Sequence, residues 1–163
     1  MYLCHMEEKE QKYQLLLKQA ASLVADEANL IANMANLSSL IHFTFDFWWT
    51  GFYFVDGKQL VLGPFQGPLA CTRIPYGKGV CGTAWAQGKT LVVPDVEQFP
   101  GHIACSSESR SEIVVPIFKD GVMWAELDID SKELGAFNET DRVWLEKIVG
   151  SLQLAVGSFD DEE

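Results

Sequence analysis

Four cysteines, at positions 4, 71, 81 and 105, are the side chains of this sequence best suited to nucleophilic or redox chemistry. Cysteine also serves as a small buried hydrophobe, so position has to decide between the two uses. Cys105 lies between Gly101-His102-Ile103-Ala104 and Ser106-Ser107-Glu108-Ser109, within a stretch from Asp95 to Ser111 that shows no period. A long irregular loop inside a compact domain is usually functional or disordered, and polar neighbours predict exposure. An exposed thiol becomes a nucleophile when its surroundings lower its pKa. Cys81 opens a short helical stretch, where unpaired N–H groups and the helix dipole favour a thiolate. Cys71 lies on an extended segment leading into that helix, and two or three thiols that meet in space permit redox cycling. Zinc is a weak alternative: there is no C-x-x-C pair, and His102 is the nearest imidazole. No metal and no cofactor are expected.

Carboxylates form a second candidate set. Asp128 and Asp130 alternate with Leu127 and Ile129, so a strand here points its acids to one face and its aliphatics to the other. Such a strand is often only a solvated face. The preceding strand, Glu112 to Phe118, tests that through hairpin parity. A two-residue turn at Asp120-Gly121 puts Glu112 on the opposite face. A three-residue loop, Lys119-Asp120-Gly121 with Gly121 left-handed, opposes Glu112 to Asp128 and brings all three acids together. Three crowded carboxylates call for a cationic ligand between them. Trp48, Trp49, Phe52 and Tyr53 are the aromatics available for a facing pocket wall.

The elements that must position these groups follow from period and punctuation. Residues 8 to 25 carry Leu16, Ala20, Leu23 and Val24 at helical spacing, and a second helix runs from about Glu27 to Ile41 with Leu30, Met34, Leu37 and Ile41 on one face, Asp26 being the predicted N-cap. Thr50 to Val55 and Gln59 to Phe65 read as strands about Asp56-Gly57. Cys71 to Pro75 is extended, Gly79 to Gln87 is a short helix ended by Gly88, and Leu91 to Val93 is a brief strand stopped by Pro94. After the Glu112–Phe118 and Val122–Ile129 hairpin, Asn138 and Asp141 form a variant capping box for a last helix whose stripe is Leu145, Ile148, Val149, Leu152 and Val156. The order predicts an α+β fold, an antiparallel sheet flanked by N-terminal and C-terminal helices.

The 163 residues, 48% of them hydrophobic, suit one domain spanning 1–163, with residues 1–7 as an N-terminal extension and 160–163 as a frayed acidic tail. The net charge of -11, with basic residues scattered, argues against nucleic acid and anionic membrane as partners. The N-terminus has neither a basic n-region nor an apolar h-region, so a cytoplasmic, reducing location is expected, where thiols stay free or catalytic.

The segments Gly79-Val80-Cys81-Gly82-Thr83-Ala84-Trp85, Val93-Pro94-Asp95-Val96, Phe99-Pro100-Gly101-His102-Ile103-Ala104-Cys105 and Ser109-Arg110-Ser111-Glu112-Ile113-Val114-Val115-Pro116 resemble those of the free methionine-(R)-sulfoxide reductases, which are GAF-domain enzymes. The resemblance covers nearly the whole chain. It implies a single GAF domain in which Cys105 matches the catalytic cysteine, Cys71 the resolving cysteine that forms a disulfide with it, and Cys81 an auxiliary one. It places Glu112, Asp128 and Asp130 around the substrate, and Trp49 and Tyr53 beside its methyl group. It further implies reduction of free L-methionine-(R)-sulfoxide to methionine through a cysteine sulfenic acid and an intramolecular disulfide, recycling by thioredoxin, and a homodimer. Among the acids, crowding makes Asp128 the expected proton donor, with Glu112 and Asp130 holding the substrate's ammonium. Ser106 stands where many relatives are acidic, and Cys4 lies outside the motifs with no role assigned. A ligand-sensing GAF module and a thiol redox sensor are the rival readings; only a reductase yields methionine from the sulfoxide.

Overall fold

The computed structural model describes residues 2–103 and 105–156, without the side chains of Tyr2 and 153–156. Val156 and the acidic tail 160–163 therefore lie outside the described side chains. Helices α1 (Tyr2–Ala25) and α2 (Leu30–Phe45) lead into strands β1 (Trp49–Asp56), β2 (Gln59–Gln66) and β3 (Arg73–Pro75). Helix α3 (Gly79–Gln87), strand β4 (Leu91–Val93) and a 3-10 turn (Val96–Gln98) follow, then strands β5 (Ser111–Lys119) and β6 (Val122–Ser131) and helix α4 (Glu139–Val156). The six strands form one antiparallel sheet in the order β3-β2-β1-β6-β5-β4. Among the described residues, no helix is long and apolar enough to cross a membrane.

Both faces of the sheet are covered, which is why β5 reads as an almost unbroken buried run. One face packs against α1, α2 and α4 through Leu16, Ala20, Met34, Leu37, Ile41, Leu145, Ile148 and Leu152, over Phe52, Ile113, Val115, Ile117, Leu127 and Ile129. On the other face α3 lays Val80, Cys81 and Ala84 over Tyr53, Val114 and Met123. Asp141, fully buried, joins the two ends of the chain: it accepts from the Tyr13 hydroxyl at 2.6 Å and the Asn138 N–H at 2.7 Å, and it pairs with Lys9.

Several expectations are corrected. Helix α1 begins at Tyr2 rather than near residue 8, and Leu23 is 38% exposed while Tyr13 takes its expected place in the core. Asn29, not Asp26, caps α2, its side chain accepting from the Ala32 N–H at 3.0 Å. Phe52 faces the three-helix side and contributes nothing to the opposite face.

The hairpin of β5 and β6 departs from the expected register yet keeps its consequence. Its turn has two residues, Asp120-Gly121, both at positive φ as a primed turn requires, with Lys119 opposite Val122. A bulge then leaves Trp124 unpaired, since Phe118 faces Met123 while Ile117 faces Ala125. The extra residue restores the parity that the short turn loses. Glu112 pairs with Asp130, not Asp128, and all three acids share the face beneath α3.

Candidate active site

Alternation along β6 places Glu126, Asp128 and Asp130 on the α3 side of the sheet, and β5 adds Glu112 between them and α3. The Cys81 Sγ lies 3.8 Å from Glu112 Oε1, so the thiol closes this cluster from above. Trp49, opposite Asp130 on β1, stacks on Tyr53 and on Phe65 with ring centroids 6.0 and 5.3 Å apart. Gly51 makes that wall possible: a Cβ there would fall 2.4 Å from Phe65 Cβ and 2.6 Å from the Trp49 ring. The Tyr53 hydroxyl donates to the Cys71 carbonyl at 2.8 Å, tying the aromatic wall to the cysteine segment.

The mouth is built by the loop between β4 and β5. Asp95 caps its 3-10 turn through the Glu97 N–H at 3.0 Å, and the Arg110 N–H donates to the Ser131 carbonyl at 2.8 Å, so the loop is pinned at both ends. Between these anchors Cys105 meets Cys71 in a disulfide with a Cα–Cα distance of 5.4 Å. Both are half-buried, while Cys4 is exposed. Ser106, beside the disulfide, accepts from Trp48 Nε1 at 3.1 Å, and Lys132 sits 3.8 Å over that indole ring. One pocket is thus lined by Trp49, Tyr53, Cys81, Cys105, Glu112, Asp128 and Asp130, with Cys71 bonded to its rim.

Burial decides the electrostatics. Desolvation, followed by the charges of Asp128, Glu126 and Glu112, pushes the Cys81 thiol well above the usual cysteine value. The expected helix-terminus thiolate is therefore not formed, because a dipole effect of about 0.3–1 kcal/mol cannot offset full burial among carboxylates. Burial raises Glu112 and Asp130 well above the carboxylate range, each further raised by Asp128. Asp128 is pushed up by burial only to about 6, since hydrogen bonds from Glu112 and Cys81 favour its ionised form. Of the three acids Asp128 is raised least, so its carboxylate form is the most favoured of the three. Glu126 is completely buried, and burial also raises it strongly. Neither of its oxygens meets a partner at normal hydrogen-bond geometry, nor does Asp128 Oδ1, and only the nearby Cys81 thiol holds the Glu126 rise back.

Two residues, Ser109 and Glu126, escaped the sequence reading, and Trp48, expected as pocket wall, has a further role. Ser109 donates to Asp130 Oδ1 at 2.6 Å, but it sits in a loop without period. Trp48 anchors the mouth through its indole N–H, a contact no spacing encodes. Glu126 shares the parity of Asp128 and Asp130, a signal that was available in Ala-Glu-Leu-Asp-Ile-Asp. For a cation, Cys81, Glu112 and Asp128 bring one donor atom each within 4.8 Å of one another.

This sheet, with helices on both faces and a buried polar pocket beneath α3, is the architecture of a GAF domain. The GAF family model matches residues 17–156, and the chain belongs to the GAF-domain family. It is 56% identical over 142 residues to GAF domain-containing protein A of Dictyostelium discoideum, covering 86% of this chain and 90% of that protein. It is 43% identical over 140 residues to the free methionine-R-sulfoxide reductase of Escherichia coli (strain K12), covering 85% of each. The solved structure of free methionine-R-sulfoxide reductase from Neisseria meningitidis in complex with its substrate superposes with a TM-score of 0.91 at 51% identity, covering 92% of this chain and 91% of that one. Within the GAF domains, the chain belongs to the free methionine-R-sulfoxide reductase family.

Proposed function

We propose that this protein reduces free L-methionine-(R)-sulfoxide to methionine, with Cys105 as the attacking thiol and Cys71 as the resolving one. The observation that carries this reading is a Cys71–Cys105 disulfide on the rim of a pocket floored by three buried acids. The Cys105 thiolate attacks the sulfoxide sulfur while a carboxyl protonates the departing oxygen. Methionine leaves, and Cys105 retains the oxygen as a sulfenic acid. The Cys71 thiol then displaces that oxygen as water, and the disulfide remains. An external dithiol, for which thioredoxin is the proposed reductant, takes up the disulfide and restores both thiols.

The acids divide the remaining work by proton affinity. Asp128, the most readily ionised, offers a carboxylate to the substrate's α-ammonium, and Asp130 completes that contact. Glu112 keeps its proton and delivers it to the sulfoxide oxygen. An ammonium buried without a paired charge is very costly, so this floor selects a free amino acid over a residue within a peptide. Trp49 and Tyr53 form the apolar wall for the S-methyl group. Membership of the reductase family supports a homodimer as the working assembly, and cytoplasmic location accords with thiols that must be reduced each cycle.

Methionine release from separate R and S epimers of free and N-acetylated methionine sulfoxide, with dithiothreitol as reductant, tests this reading. Release from the free R epimer alone, abolished in Cys105→Ser, is expected. Turnover of the N-acetylated substrate at the same rate would refute the role of the acids, and unchanged turnover in Cys105→Ser would refute the nucleophile.

A further inference from the structure

We infer that Cys81, Glu112 and Asp128 also form a reversible site for a borderline-soft divalent cation such as Zn2+, whose binding excludes the substrate's ammonium. The competition rests on the proposed function; the cation site itself does not.

Three observations carry the inference. The donors come from three elements, α3, β5 and β6, so no sequence spacing announces them, yet all three atoms lie within 4.8 Å of one another. Two ligands of a tetrahedral zinc, at about 2.3 Å for sulfur and about 2.0–2.2 Å for oxygen, stand about 3.5–3.7 Å apart. Cys81 Sγ and Glu112 Oε1 are 3.8 Å apart, so a small side-chain adjustment brings them onto one ion. Lastly, Asp128, a member of the cluster, is 5% exposed and its Oδ1 is a buried acceptor without a partner.

The donor set selects the ion. One thiolate with two carboxylates suits Zn2+ or Co2+, whereas Mg2+ and Ca2+ take oxygen ligands alone. A divalent ion entering the site displaces up to three protons, from the thiol and the two carboxyls, and leaves one net negative charge. All three residues line the pocket, so the fourth coordination position opens toward the substrate's space, where water or another small ligand completes the tetrahedron. Three protein ligands and one open position make an exchangeable site rather than a closed structural one.

The test uses a protein in which Cys4, Cys71 and Cys105 are serine, so that Cys81 is the remaining thiol and no turnover occurs. Titration with Co2+ alone is followed by thiolate-to-cobalt charge-transfer absorption. The expected result is a band that saturates at one equivalent, is displaced by Zn2+, and weakens at least tenfold in affinity on adding Glu112→Gln or Asp128→Asn. Adding Cys81→Ser, or Cys81→Ala should the serine variant fail to show a native circular dichroism spectrum and melt, must abolish the band. Absence of the band in the folded parent, or its persistence without Cys81, overturns the site. Addition of free methionine sulfoxide must then bleach the band in proportion to its occupancy. A band that the sulfoxide leaves unchanged keeps the cation site and overturns the assignment of the ammonium to these acids.

Discussion

Glu126→Leu is expected to make this protein more stable, and to do so increasingly as pH rises. Glu126 is fully buried on β6 with neither carboxyl oxygen in a hydrogen bond of normal geometry, and burial raises its pKa far above the usual value. The fold therefore keeps a proton on Glu126 at pH values where the unfolded chain has already released it. Each pH unit above the ordinary carboxylate pKa then disfavours the native state by about 1.4 kcal/mol, until the folded pKa is reached. Starting from a glutamate value near 4.5, that disadvantage is at most roughly 1 kcal/mol at pH 5 and at most roughly 3 kcal/mol at pH 7. The unpartnered polar group itself adds about 1–3 kcal/mol at any pH. Leucine has similar bulk and removes both, so the stability gained should be larger at pH 7 than at pH 5, by up to roughly 2–3 kcal/mol. In a domain of this size that difference appears as up to roughly 5–10 °C of additional Tm. Thermal and urea melts of wild type, Glu126→Leu and Glu126→Gln, all held in one thiol oxidation state, measure it. The glutamine variant should lose the pH dependence while retaining part of the penalty. A leucine variant no more stable than wild type at pH 7, or a gain constant with pH, would show that Glu126 is ionised and paired in the fold.

The remaining predictions concern the pocket. Asp128 ionises at about 6, so affinity for the free sulfoxide should fall as pH drops below that value and the carboxylate becomes neutral; kcat/KM flat between pH 5 and pH 8 would contradict it. Asp128→Asn removes one partner of a buried charge pair, a loss of about 3–5 kcal/mol, and should raise KM on the order of 100-fold or more. Glu112→Gln should instead lower kcat by roughly 100-fold through loss of the proton donor, and steady-state kinetics separates the two. Gly51→Ala drives a methyl into Phe65 and the Trp49 ring; a loss of about 1–3 kcal/mol with a raised KM is expected, and wild-type melting and kinetics would refute the packing argument.

Much of this architecture was legible because period and turn chemistry agree. Gly79 and Gly88 bound α3 as their positions suggest, and the β5–β6 strands declare themselves by their branched residues. What was not legible depends on pairing. With the two-residue turn, whether Glu112 faces Ile129 or Asp130 turns on one unpaired residue, Trp124, and nothing near it in sequence marks a bulge. The direction of Phe52 follows from the register of β1 against β6, since Tyr53 and Phe54, which follow it, are aromatic as well. Cys81 was misread for a related reason. Its place at the start of a helix is local, whereas the carboxylates that hold its proton come from β5 and β6, distant in the chain. Which acid keeps the proton is likewise a property of the assembled cluster rather than of any single residue.

The bulge at Trp124 has a consequence for how the hairpin could be rebuilt. In counting terms the strand pair has one odd residue to place, and the molecule places it within β6 instead of at the tip. The acids are meanwhile held in register from the far end, by Trp49 opposite Asp130 and by Val93 opposite Glu112. The tip and the site are therefore separate modules of one ladder. A chain reopened between Asp120 and Gly121, with its original ends joined, keeps every pairing that sets the carboxyls. The same odd residue could sit in a three-residue tip, with β6 running straight, and the pocket would not register the exchange.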